Sequence, residues 1–168
     1  MPPLRSSVVM QLRRRHPEIP EASTVAVDRV LLASEGRPLS PAALDLAAQL
    51  AKQGGGKVHV FSVARVWGSG LGLPNPGLLP SKGEWDVQRG VVRDAVEGLK
   101  RRGIDATGQV LATRKATKRI VREAERRDCG AIVMGADPAR SRVVADLMWS
   151  QEPYRVRRRS EIPVYLAI

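Results

Sequence analysis

The chain has 168 residues, 43 % of them hydrophobic, which suits one globular domain with a full core and excludes general disorder. Its net charge of +11 points to an anionic partner or simply to solubility. The three Trp, two Tyr and one Phe do not interleave with the basic runs, so a base-stacking platform is excluded.

The single cysteine, Cys129, excludes an internal disulfide and suits a reducing compartment. No apolar run approaches the ~18 residues of a membrane span, and the amino terminus lacks the apolar stretch of a secretory signal. The expected location is the cytoplasm, with no membrane partner.

Residues 1–26 read as a flexible basic tail, because Pro2, Pro3, Pro17 and Pro20 interrupt any periodicity. Residues 27–168 then alternate short apolar runs with helical periods. Val30 to Ala33 is a buried strand ending in Ser34-Glu35-Gly36. Ser40-Pro41 opens a helix, with serine at the cap and proline in the first turn. Leu44, Ala47, Ala48 and Ala51 line one face of it, and Gly54-Gly55-Gly56 stops it. Val58 to Val63 is a second strand.

Residues 64–80 are a long loop rich in glycine and proline, whose Trp67, Leu71, Leu73, Leu78 and Leu79 need something to pack on. Ser81-x-x-Glu84 is a capping box, opening a helix with Val91, Val92, Ala95, Val96 and Leu99 on its apolar side. Thr107 to Ala112 is a third strand. The next helix turns Ile120, Val121 and Ala124 inward, with Thr113 or Thr117 as cap. Ala131 to Met134 is the fourth strand and Val164 to Ile168 the fifth. Strands alternating with helices make an α/β fold: one doubly wound domain, a parallel sheet with right-handed crossovers and helices on both faces. The fifth strand leaves an apolar edge that a second copy could pair with.

Enzyme motifs are mostly absent. His16 lies in the tail and His59 in a strand, which gives no metal-ligand spacing. Neither a nucleophile elbow nor a Walker loop occurs. Gly68-x-Gly70-x-Gly72 leads into prolines rather than a helix, and Asp128 beside Cys129 disfavours a thiolate. Topology therefore locates the candidate site. In an open parallel sheet, ligands bind beyond the carboxyl ends of the strands at the switch point. The first strand ends at Ser34-Glu35-Gly36 and the fourth at Met134-Gly135-Ala136-Asp137, so the two ends flank one crevice. Helix starts at Thr113 to Thr117 and at Ser150 would aim free N–H groups into it. Arg114, Lys115, Lys118, Arg140 and Arg142 stand on or beside those loops as anion contacts. The competing reading makes these cations ordinary solvated surface.

The order of elements, with "RVLLASEGRPLSPAALDLAAQLA", "IVREAERRDCGAIVMGA" and "IPVYLAI", resembles the universal stress protein family over residues 27–168. The resemblance implies a five-stranded parallel Rossmann-like sheet in the order 3-2-1-4-5, of the adenine-nucleotide-hydrolase type. It also implies a homodimer through the last strand, Val164 to Ile168, and work in stress survival and signalling. Some members bind ATP and others do not. ATP-binding members have an aspartate where this chain has Glu35, and meet adenine through the backbone at the position of Val63. Their phosphate loop runs Gly, two residues, Gly, nine residues, then Gly and Ser or Thr. Here Gly135 matches the first glycine, Pro138 stands at the second, Ser150-Gln151 holds the final pair, and eleven residues separate Pro138 from Ser150. Proline has no N–H to offer a phosphate. Losing one such donor costs ~1.5–3 kcal/mol, one to two decades of affinity.

These residues lead to a non-catalytic stress-response or regulatory module with an altered nucleotide crevice, formed by Ser34, Glu35, Val63, Met134, Gly135, Asp137, Ser150 and Gln151, with anion contacts from Arg114, Lys115 and Arg140. Its ligand, if it has one, is ATP or another adenine nucleotide; no metal is implied. The alternatives are an ATP-binding member with slow or no hydrolysis, and a basic nucleic-acid-associated protein. The composition does not favour nucleic acid as the partner.

Overall fold

The computed structural model describes residues 27–65, 79–136 and 151–168. The expected tail, residues 1–26, most of the loop at 64–80, and Asp137, Arg140, Arg142 and Ser150 lie outside the described residues. Among the described residues five strands and four helices alternate: β1 (Arg29–Ser34), α1 (Pro41–Gln53), β2 (Lys57–Arg65), α2 (Lys82–Arg101), β3 (Asp105–Thr113), α3 (Ala116–Arg126), β4 (Ala131–Gly135), α4 (Glu152–Arg159) and β5 (Val164–Ala167). All pairings are parallel and the sheet order is β3-β2-β1-β4-β5, as the resemblance implies.

Period-two alternation splits the core into two layers. Val30 and Leu32 of β1 face α1 and α2, packing with Ala47, Ala51, Val92 and Leu99. Leu31 and Ala33 face α3 and α4, packing with Ile120, Ala124 and Val156. Residues on both faces of β1 are buried, because helices cover the sheet on each side.

The local signals act as expected in α1 and α2. Ser40 Oγ accepts from the Ala43 N–H at 3.2 Å, with Pro41 in the first turn. At α2 the Ser81 hydroxyl accepts from the Glu84 N–H, and the Glu84 carboxylate accepts from the Ser81 N–H, closing the capping box. The α2 helix lies very close to β3. A Cβ at Gly108 would stand 2.4 Å from Val92 Cγ1 and 2.9 Å from Val96 Cγ2, so only glycine fits.

The expected cap of α3 needs correction. Neither Thr113 nor Thr117 is the cap; Lys115 occupies that position and makes no side-chain cap bond. Thr113 Oγ1 instead accepts from the Lys115 N–H at 3.1 Å, and Thr117 lies inside the helix. Similarly, α4 begins at Glu152 with Gln151 at its cap, again without a side-chain bond.

Candidate functional site

The parallel register of β1 and β4, Val30 opposite Ala131 through Ala33 opposite Met134, brings the carboxyl ends of the two strands side by side. They border a cleft of about 270 Å³ whose lining includes Ser34, Glu35, Arg37, Ser40, Gly135 and Ala167. The switch point thus has a real concavity, and Ser34, Glu35 and Gly135 come together there.

Glu35 is only 2 % exposed, and a carboxylate that deep requires a partner. Arg37 supplies it: its Nε donates to Glu35 Oε1, and its terminal nitrogen reaches the Gly135 carbonyl at 3.4 Å. One guanidinium therefore spans from the end of β1 to the end of β4. Gly36, with φ of +112°, makes the turn that allows this reach. Ser34 Oγ holds the same turn, accepting from the Gly36 N–H at 3.1 Å and donating to the Arg37 carbonyl.

A second tie comes from α2. The Gln88 amide donates to the Gly36 carbonyl at 2.9 Å, and its oxygen accepts from the buried Ser62 hydroxyl at 2.7 Å. The β1 turn is thus fastened toward β4 by Arg37 and toward β2 by Gln88.

The start of α3 is occupied as well. Glu152 Oε1, from the first turn of α4, accepts from the Thr117 hydroxyl at 2.7 Å and the Thr117 N–H at 3.2 Å. Arg155 donates to Glu152 Oε2 at 3.3 Å. Far from aiming free N–H groups into the crevice, the amino end of α3 meets a carboxylate of this same chain, where the positive end of the helix dipole favours negative charge.

The remaining expected site residues lie elsewhere. Val63 is buried in the α3–α4 layer, and its backbone pairs with Leu111 in the neighbouring strand. The Met134 side chain enters the same layer. Arg114 and Lys115 are exposed at the β3–α3 turn, and Gln151 is exposed at the start of α4. None of these five lines the 270 Å³ cleft.

A buried polar cluster, which the sequence does not announce, lies between α3 and the sheet. His59 Nδ1 is 2.8 Å from the Thr107 hydroxyl, while Nε2 is 3.8 Å from Glu123 Oε1 and without a hydrogen-bond partner. Glu123 is 1 % exposed and accepts from Arg126 at 2.7 Å and Arg127 at 2.6 Å. Burial opposes charge on Glu123, but these two arginines prevail and hold its carboxyl below its ordinary range. Burial pushes His59 down to about 4, Arg127 adds to the shift, and Glu123 opposes it. Cys129 is buried, and burial pushes its thiol up to about 11, which removes it from nucleophilic chemistry. Among the described residues no group of three His, Cys, Asp or Glu could hold a metal ion, and no helix is long and apolar enough to cross a membrane.

Comparison with known proteins accords with this architecture. A universal stress protein from Archaeoglobus fulgidus aligns with a TM-score of 0.64 at 19 % identity, over 83 % of this chain and 93 % of that one. A universal stress protein from the same organism in complex with dAMP aligns at 0.57 and 23 % identity, over 83 % and 97 % of the two chains. Another, in complex with cAMP, aligns at 0.61 and 20 % identity, over 84 % and 97 %. At these identities the likeness shows the fold alone. No curated protein matches the chain. The model of the universal stress protein family matches residues 26–167, 142 of the 168. By that match, and by a sheet of the same order, the chain belongs to the universal stress protein family.

Proposed function

We propose that this protein is a non-catalytic, cytoplasmic universal-stress-type module whose switch-point crevice is held by its own side chains and does not take ATP with a phosphate loop. The single observation that carries this reading is Arg37, which pairs with buried Glu35 and extends to the Gly135 carbonyl across the mouth of the crevice. A ligand entering there must compete with the buried Glu35 carboxylate for the partly exposed Arg37. The cleft, at about 270 Å³, also falls below the roughly 300–1,000 Å³ of typical small-molecule sites. Pro138 at the second glycine position removes one phosphate donor more.

The test uses freshly purified full-length protein. Its 260/280 nm absorbance ratio, mass spectrometry of any released ligand, and titration calorimetry with millimolar ATP are the readouts. The expected result is a ligand-free protein with no binding heat. Co-purified ATP, or saturable binding tighter than about 100 µM (some −5 kcal/mol), refutes the proposal.

A second reading has its own support. Universal stress proteins of this fold occur in complex with dAMP and with cAMP, ligands that carry a single phosphate. On this reading a smaller adenine nucleotide binds without a triphosphate cradle, and heat with AMP or cAMP but none with ATP selects it. We also propose a homodimer through β5. It is an edge strand of four residues, followed by Ile168 at 74 % exposure, so a second copy would bury apolar surface and pair the edge. Light scattering at tens of micromolar should give twice the chain mass; a monomer would count against it.

A further inference from the structure

Exposed cations stand on both helical faces of the fold, and those of α3 and α4 are brought together on one sheet face. α3 and α4 cover the same sheet face, since Ile120 and Ala124 of one and Val156 of the other enter a single core layer. Their opposite sides therefore form one outward surface. Lys118 and Arg122 are exposed on α3 with Arg119 half-buried between them, and Arg157, Arg158 and Arg159 are exposed on α4. Among the described residues none of these six makes an ion pair.

The other helical face is built differently. There Arg89 pairs with Asp86 at 3.2 Å, Arg93 with Asp94 at 3.3 Å, and Arg102 with Asp45 at 2.8 Å, which leaves Lys52, Lys82, Lys100 and Arg101 exposed without an ion pair among the described residues. Two of the three acids on α3 and α4 are withdrawn from the surface. Glu123 is buried under Arg126 and Arg127, and Glu152 is buried against Thr117 and Arg155. The exposed acids of that layer, Glu125, Asp128 and Glu161, lie in the last turn of α3 or beyond the helix ends. Like charges three and four residues apart, such as Lys118 with Arg122 and Arg119 with Arg122, repel in the free protein, and a polyanion relieves that repulsion.

We propose that the α3–α4 face is a docking surface for the phosphodiester backbone of duplex nucleic acid, read by charge and not by sequence. Five of the six unpaired cations are arginines, whose planar guanidinium matches phosphate in bidentate fashion. An acidic membrane fits less well, because among the described residues the large exposed hydrophobic ones are Leu79, Val87 and Ile168, none of them on α3 or α4 to insert among lipids. Single strands fit less well too, because Tyr154, the one aromatic on these two helices, is half-buried and cannot offer a stacking plane. The eleven residues of α3 span about 16 Å, roughly five base pairs of duplex. None of these six residues lines the crevice.

Two charge-reversed variants of the full chain separate a localised surface from bulk charge. One combines Lys118→Glu, Arg122→Glu and Arg158→Glu. The other combines Lys82→Glu, Lys100→Glu and Arg101→Glu on α2, with the same change in net charge and the same amino-terminal tail. Binding to a labelled duplex of about 30 base pairs is followed by fluorescence anisotropy between about 50 and 200 mM salt. The α3–α4 variant should bind at least tenfold more weakly at about 50 mM salt, and its log–log salt slope should fall by roughly 2.7, at ~0.9 per lost phosphate contact. The α2 variant should stay within about threefold of the parent chain. Equal losses in both variants, no loss in either, or no duplex binding by the parent chain overturns the proposal. So does binding to phosphatidylserine vesicles or to polyglutamate as tight as binding to the duplex.

Discussion

The carboxylate of Glu152 substitutes for the missing cap of α3, and its removal has a calculable cost. Glu152→Ala leaves the Thr117 N–H and hydroxyl without the acceptor they meet at 3.2 and 2.7 Å. Loss of an N-terminal cap costs about 1 kcal/mol, and loss of a negative charge at the positive end of the helix dipole a further ~0.3–1. The Arg155 contact, at 3.3 Å with Arg155 55 % exposed, adds under about 1 kcal/mol. The sum is roughly 2 kcal/mol, and Glu152→Gln, which keeps an acceptor oxygen but not the charge, should lose about half. Urea denaturation should show the midpoint falling with an unchanged m-value, and Tm should drop by ~4–8 °C. Thr117→Val, which removes only the hydroxyl, should be strongly non-additive with Glu152→Ala, whereas Arg155→Ala alone should cost under about 0.5 kcal/mol. If Glu152→Ala matches the parent chain within about 0.5 kcal/mol, or Arg155→Ala costs as much as it does, the carboxylate is not the cap.

The buried imidazole makes stability depend on pH. His59 is held at about 4 in the folded protein against 6.5 unfolded, so the unfolded state binds more protons in that window and stability falls as the pH drops through it. From about pH 8 to pH 5, where Glu123 stays ionised, the loss should be about 2 kcal/mol, and His59→Gln should flatten the curve; parallel curves would refute it. Gly108→Ala drives a methyl into Val92 and should cost ~1–3 kcal/mol, part of which Val92→Ala in the same chain recovers; additive losses would show that the contact does not set the spacing. Burial at about pKa 11 should keep Cys129 unreactive toward Ellman's reagent at pH 8 until urea unfolds the chain, and reaction at the rate of a free thiol would contradict that burial.

Most of the architecture was legible because it is written locally. Ser40-Pro41 and Ser81-x-x-Glu84 specify helix starts within four residues, and the apolar runs of β1 and β4 specify a sheet covered on both faces. The crevice was legible by topology, from where two strands end. What holds it was not. Arg37 meets Gly135 ninety-eight positions away, Gln88 meets Gly36 across fifty-two, and Thr117 meets Glu152 across thirty-five, so no window on the sequence contains both partners. Thr113 and Thr117 were reasonable caps by residue type, but the fold brought a better acceptor from another helix. His59 reads as a lone strand histidine until Glu123 arrives from α3. The charge pattern was hidden for the same reason, because α3 and α4 are separated in sequence by β4 and become neighbours only in the fold.

The turn at Gly36 and Arg37 is tied on one side to α2 and on the other to β4 by groups of the chain itself. In a domain whose ligand makes such ties, folding free energy contains a contribution that grows with the logarithm of ligand concentration. On the proposed reading that contribution has been moved into the polypeptide. The folded population then no longer follows the adenylate pool.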